Sequence, residues 1–474
     1  MTDLVLRNVH RRGRLVDVQV RGGVVAAFAE PGVLPGDGID GHSVDCFGGH
    51  LLPGLVDAHV HMQQWASNRR RISLGEAKSA AAAVELVRGS AEDWVFGANF
   101  VDGLWPDAPH KDLLERALPG RKVALFSADL HTLWLSPAAL KELGVDHPTG
   151  VLVEAECMAV TAKLPAGDPD TWVLEAADAA AARGVTGIRD YELTDTVADW
   201  TRRLGIRTPS VRVTCVIAKH LLDVAIDRGH RTGDVVPGTD GLLTVGPLKL
   251  FSDGSLNTRT ALCHDPYEGD GHGVAVVPLE ELVTLMRRAW EHGIVPAVHA
   301  IGDRANQIAL DAFETVGCPG RIEHAQLVSE RDLPRFAQLG VIASVQPAHA
   351  PDDRDVADRL WAGRTARAFP YGSLLAAGAT LEIGSDAPVA PLDPWDGIAS
   401  AVTRTDDDRP AWHPEQRVPL DVALAAACGG RSAVEVGDVA DLLVAERDPG
   451  KNQLREMPVV LTMLGGRITH GGDQ

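Results

Sequence analysis

Cysteine is scarce in this 474-residue chain: six copies, Cys46, Cys157, Cys215, Cys263, Cys318 and Cys428, with no Cys-x-x-Cys pair. Such scatter argues against a disulfide framework and against a zinc site built on thiolates. Long apolar runs are missing too. No uninterrupted stretch approaches the roughly 20 residues that cross a bilayer, and residues 1–7 lack the basic-then-apolar pattern of a secretory signal. Positive charge is in deficit. The 45 Lys and Arg against 65 Asp and Glu give a formal net charge of −20, which disfavours nucleic acid and membranes as partners. Internal repeats and low-complexity tracts are absent as well. What remains is an ordinary globular balance, 45% hydrophobic and 23% charged. The expectation is a cytoplasmic protein that meets a small molecule.

The most informative feature present is His59-Val60-His61, which ends the apolar run 51–58. Side chains i and i+2 of an extended strand share a face, so two imidazoles project together. Alone, such a pair is more often a surface or hydrogen-bonded pair than a metal site. The downstream sequence changes that weighing. The segment 293–299 ends in His299, 321–324 in His324 and 380–386 in Asp386, while 243–251 carries Lys249 near its end. Short apolar strands ending in a polar residue, separated by helix-forming stretches, are what a parallel α/β barrel produces, and its active site lies at those strand ends.

The expected fold is α/β: a (β/α)8 TIM-type barrel, a small β-sandwich built from both chain ends, and a long insertion after the first barrel strand. The sandwich takes 1–52 plus 430–474, where short alternating runs surround glycines. The barrel takes 53–429. Its later strands read as 184–190, 211–217, 243–251, the segments ending in His299 and His324, 341–346, and the segment ending in Asp386; helices are expected over 279–292 and 305–316. Residues 68–170 break the alternation and make a crossover far longer than usual. They read as an inserted capping segment with a strand of its own over 123–131.

Imidazole and carboxylate donors suit Zn²⁺ and other borderline divalent ions, and His59, His61, His299, His324 and Asp386 supply five. Lys249 is a sixth candidate only if CO₂ converts its amine to a carbamate, because an ammonium cannot bind a metal; a strand-end lysine reaching for solvent is its plain alternative. A metal held this way acidifies water and polarises a carbonyl. Asp386 would then take the proton of the attacking water and hand it to a leaving nitrogen, or else serve simply as a helix N-cap.

In this order the residues resemble the amidohydrolase superfamily of metal-dependent hydrolases, and within it the branch of N-substituted formamide deformylases. The resemblance rests on Leu52-Pro53-Gly54-Leu55-Val56-Asp57-Ala58-His59-Val60-His61, on the segments 129–140 and 249–261, on His299-Ala300-Ile301-Gly302-Asp303, on Glu323-His324-Ala325 and on Gly384-Ser385-Asp386-Ala387-Pro388-Val389. It covers nearly the whole chain. It implies one or two divalent ions, Zn²⁺ first, held by His59, His61, His299, His324 and Asp386, with carboxylated Lys249 as the bridge if there are two. It also implies hydrolysis of a C–N bond outside peptides, and a homodimer is the expected assembly.

Substrate contacts are expected from Asp129, His131 and Trp134, unless these pack inside the insertion, from Arg259 as a carboxylate binder, and from Gln346, with His349 beside it. Arg404 reads as a pocket-rim or dimer residue, and Asp303 as a loop anchor. Alternatives are a mononuclear deaminase, with Lys249 unmodified and Asp303 as proton shuttle, a hydrolase of cyclic amides or carbamates, and a barrel without catalysis.

Overall fold

The computed structural model describes residues 3–34, 42–103, 105–165, 167–267, 271–451 and 453–472. The chain divides into two compact units, one of Met1–Met62, Val173–Asp386 and Leu392–Gln474, the other of Gln63–Trp172 and Ala387–Pro391.

The larger unit holds the barrel. Its strands are β1 (Leu55–Val60), β2 (Val185–Asp190), β3 (Arg212–Ala218), β4 (Leu243–Phe251), β5 (Pro296–Ala300), β6 (Gly320–His324), β7 (Val341–Val345) and β8 (Leu381–Ile383). They pair in that order as one parallel sheet, with β1 beside β2 and β8 at the far edge. The edges meet at the strand ends, where Asp386 N–H donates to the His59 carbonyl at 2.7 Å. A closed parallel sheet covered by helices buries both its faces, which is why these strands read as near-continuous apolar runs. The intervening helices follow their 3.6-residue period. Leu279–Glu291 buries Leu282, Met286 and Ala289 along one side, with acids in its first turn and Arg288 in its last, the polarity the helix dipole favours. Asp303–Val316 is closed by Gly317 at φ 68°, a left-handed cap that glycine adopts without strain.

Both chain ends build one further sheet. Strands Leu4–Arg11, Arg14–Arg21, Val24–Ala29, His42–Asp45 and His50–Pro53 join Leu442–Ala445, Val459–Leu464 and Arg467–Gly471. The termini are stitched by antiparallel pairing of Leu52 with Leu443 and Leu51 with Val444. Alternate residues, among them Leu4 and Leu6, Val18 and Val20, Leu442 and Val444, Leu461 and Met463, fill one core, as the two-residue strand period requires.

The second unit has its own sheet, Val151–Val153, Thr132–Leu135, Lys122–Ser127, Trp94–Phe100 and Ile72–Ser73, in that order. Val123 and Leu125 face one core, Ala124 and Phe126 another. The strand expected over 123–131 is shorter than the sequence suggests: it stops at Ser127, turns through Leu130 at φ 60°, and restarts at Thr132.

Candidate metal centre

The site forms where β1 and β8 meet. Asp57, His59 and His61 follow one another at two-residue spacing from the end of β1. Asp57 is buried and acts as a clamp. Its Oδ1 accepts from the backbone N–H of Ser385 (2.9 Å) and of His59 (3.1 Å), and its Oδ2 accepts from the Ser385 hydroxyl at 2.5 Å. Gly384 makes this approach possible, since a Cβ there would lie 2.5 Å from the His59 nitrogen.

The clamp brings Asp386 against both histidines. Its Oδ1 lies 3.5 Å from His59 Nε2 and 3.4 Å from His61 Nε2. Among the described residues, His59, His61 and Asp386 form a group whose ligand atoms all lie within 4.8 Å of one another. Two tetrahedral ligands at about 2.0–2.1 Å from a zinc ion stand about 3.3–3.4 Å apart, so the spacing suits a shared ion. The His59 Nε2 is buried without a hydrogen-bond partner. A buried polar atom without a partner is costly, and a cation would satisfy it.

His299 and His324 flank this trio, and His324 Nδ1 stands 3.8 Å from the second Asp386 oxygen. Their rings are 4.5 Å apart, and His324 is 5.0 Å from His59. His299 Nε2 lies 3.1 Å from the Gly254 carbonyl, and His324 Nδ1 lies 2.8 Å from Gln346 Oε1. Lys249 is buried at the end of β4, its ammonium 4.8 Å from the centres of both the Tyr191 and Phe251 rings.

The electrostatics follow from burial. Desolvation, helped by the Lys249 charge and opposed by Glu323 and Asp386, brings the His59 pKa down to about 4. Burial and neighbouring His299 push His324 well below its usual range. Both imidazoles are thus held neutral, the form that donates a lone pair. Burial lowers Lys249 to about 8 against the pull of Glu323 and Asp386. Burial opposes the charge on Asp386, yet His59, His61 and His324 outweigh it and hold the carboxyl well below the ordinary range.

A second layer of residues escapes a reading of strand ends. Glu323 accepts from the Tyr191 hydroxyl (2.7 Å) and from Arg321 Nε (2.5 Å), and its Oε2 lies 2.6 Å from His59 Nδ1. The Tyr191 ring stacks on His59, 3.8 Å apart and 4° from parallel. Arg321 reaches on to Glu382, which also pairs with Arg189.

The other expected site residues fall as follows. Gln346 is buried and occupied with His324. His349 is buried too, its Nδ1 3.4 Å from the Gln326 amide nitrogen. Arg259 is exposed at φ 59°. Asp129, His131 and Trp134 belong to the second unit. Asp129 accepts from Ser127 Oγ and from the His131 N–H, and His131 pairs with Glu154 at 2.7 Å. Trp134 is wholly buried in that unit's core, edge-on to Phe100. Arg404 corrects the expectation of a rim or dimer residue. It is buried, donating to the Trp412 and Phe369 carbonyls and lying over the Tyr371 ring. Asp303 anchors a loop, accepting from His264 N–H and pairing with Arg367.

A model of the amidohydrolase family matches residues 43–470. The chain belongs to the amidohydrolase family. Family and fold are those of a hydrolase. Among relatives of this amidohydrolase, Protein LONG AFTER FAR-RED 3 of Arabidopsis thaliana is 28% identical over 470 residues, spanning 88% of this chain and 78% of the relative. N-substituted formamide deformylase of Arthrobacter pascens is 25% identical over 544 residues, spanning 99% and 98%. In architecture it is similar to an uncharacterized metal-dependent hydrolase from Pyrococcus horikoshii OT3, at a TM-score of 0.79 and 24% identity, over 96% of this chain and 100% of that one.

Proposed function

We propose that this amidohydrolase is a metal-dependent enzyme that hydrolyses a C–N bond outside peptides, with an N-substituted formamide as the leading substrate class. One observation carries the reading: a buried, partnerless His59 Nε2 stands 3.5 Å from an Asp386 oxygen that is also 3.4 Å from His61 Nε2. Imidazole and carboxylate donors point to Zn²⁺. His59, His61 and Asp386 would hold it, with His299 and His324 beside them. Lys249, whose amine is drawn toward neutrality by burial, would join the ligand set only after adding CO₂, since an ammonium cannot bind a metal. The resemblance to a formamide deformylase supports the substrate class.

When bound, a divalent ion supplies Lewis acidity and acidifies an attacking water. Asp386 accepts the proton of that water as its oxygen adds to the formyl carbon. The same carboxyl then returns the proton to the leaving nitrogen as the C–N bond breaks, giving formate and an amine. A deaminase with Asp303 as proton shuttle is disfavoured, because Asp303 is tied to His264 and Arg367.

The test is formate release from N-alkyl and N-benzyl formamides, with and without a chelator. Chelator-sensitive formate is the expected result. A metal-replete protein that releases none would remove formamides and direct the search to other amides, carbamates and ring lactams.

A further inference from the structure

Two consecutive residues at the end of β6 face different neighbours. His324 lies against His299, while Glu323 turns into the barrel and contacts His59 across the sheet. Glu323 accepts from the Tyr191 hydroxyl and from Arg321 Nε, its Oε2 lies 2.6 Å from His59 Nδ1, and its side chain is fully buried. An ionised carboxylate can only accept. Arg321 Nε at 2.5 Å keeps it ionised, so His59 Nδ1 at 2.6 Å must be the donor. That puts the His59 proton on Nδ1 and leaves Nε2 bare, on the side where Asp386 and His61 converge. Tyr191 completes the arrangement twice over. Its hydroxyl donates to Glu323, and its ring lies flat on the imidazole at 3.8 Å, fixing the ring plane.

We infer that Glu323 is the positioning residue for the metal centre: it sets the tautomer and orientation of His59 and thereby the affinity for the ion. The inference rests on the metal reading above. Without that carboxylate the imidazole is free to carry its proton on Nε2, which would aim an N–H at the space the ion needs. Partners of this kind typically change metal affinity by 10- to 100-fold when removed.

The experiment uses the full-length metal-free protein, titrated with Zn²⁺ against a competing chelator, for the wild type, Glu323→Gln and Glu382→Gln. Glu382 is the control because it pairs with the same Arg321 but does not touch His59. Both variants disturb the same buried ion network and should lower the melting temperature. Only Glu323→Gln should weaken zinc binding, by roughly 10- to 100-fold. Unchanged affinity in Glu323→Gln, or an equal loss in Glu382→Gln, overturns the inference. If Glu323→Gln does not fold, Tyr191→Phe keeps the ring stack and deletes one donor to Glu323. It should weaken zinc by about fivefold, and wild-type affinity there also overturns the inference. Histidine nitrogen NMR of the metal-free wild type gives a readout that needs no metal: the His59 proton belongs on Nδ1, and finding it on Nε2 refutes the positioning role. Failure of the wild type to take up zinc would instead overturn the metal reading, together with the part of the inference that depends on it.

Discussion

Asp253 is buried just beyond β4, and its carboxylate holds two loops of the site together. Oδ2 accepts from the backbone N–H of Leu262 and of Gly302, each at 2.8 Å, and Oδ1 accepts from Ile301 N–H at 3.0 Å. Leu262 lies in the loop after β4, whereas Ile301 and Gly302 directly follow the strand that carries His299. Asp253→Ala would strand three buried donors. Each costs about 1–3 kcal/mol when left without a partner, so the loss is about 3–9 kcal/mol, comparable with the whole stability of a typical domain, about 5–15 kcal/mol. Asp253→Asn is the sharper probe. Its one remaining oxygen can serve the two donors that now share Oδ2, which turns the amide NH₂ toward Ile301 N–H. One donor is then stranded, at about 1–3 kcal/mol. Urea unfolding followed by circular dichroism reads the difference as a midpoint shift. The expected order is wild type, then Asn, then Ala. An Ala variant within about 1 kcal/mol of the wild type, or Asn and Ala variants equally damaged, would refute the account of Asp253 as a backbone clamp.

Two further outcomes follow from the site. Asp386→Asn keeps shape but removes the proton carrier, so turnover in the formate assay should fall by about 10² to 10⁴; full turnover would remove Asp386 from the chemistry. The metal-free protein should be acid-labile. Burial holds folded His59 near pKa 4, below the ordinary value of about 6.5, so the unfolded chain takes up the proton first. This contribution is fully present above about pH 6.5 and is lost as pH falls toward 4, amounting to about 2 kcal/mol at pH 5. His59→Gln should show a correspondingly flatter stability profile between pH 5 and 8, and a profile parallel to the wild type would contradict the assignment.

The barrel is legible in the sequence because each strand is a short apolar run with a polar residue at its end or within three positions of it. The strand over Leu243–Phe251 has the expected bounds, whereas the strand that carries His299 begins three residues late, at Pro296, and the one before Asp386 stops three residues early, at Ile383. The histidines and Asp386 are legible for the same reason. Asp57 was within reach, since the two-residue period that pairs His59 with His61 places it on the same face. Glu323, Arg321, Glu382 and Tyr191 were not. Arg321 and Glu323 pair at two-residue spacing, but the contacts that tie them to His59, Tyr191 and Glu382 join positions 61 to 264 residues apart, and charged residues inside a barrel contradict the apolar pattern that identifies its strands. Trp134 illustrates the reverse difficulty, because an aromatic in an inserted segment looks the same whether it lines a pocket or fills a core. The turn at Leu130 was hidden by an apolar side chain in a conformation that such residues seldom adopt.

Backbone strain explains how neighbours at one strand end come to serve one centre. In a regular strand Glu323 and His324 would point to opposite faces. Here His324 sits at φ 77° and Ala325 at φ 44°, and across the barrel Asp386 sits at φ 59°. Left-handed backbone at such residues costs of order 1–3 kcal/mol each and persists only where the surroundings impose it. They do so through hydrogen bonds that leave the strand path. Ala325 N–H donates to the Ala300 carbonyl at 3.0 Å, and Asp386 N–H donates to the His59 carbonyl at 2.7 Å. Asp57 and Asp253 grip the loops on either side. The strain therefore lies at the strand ends, where β6 offers Glu323 to His59 and His324 to His299 from adjacent positions. The Asp57 and Asp386 hydrogen bonds thus fix the approach of His59 and Asp386 through contacts of the chain itself, the arrangement the proposed metal site requires.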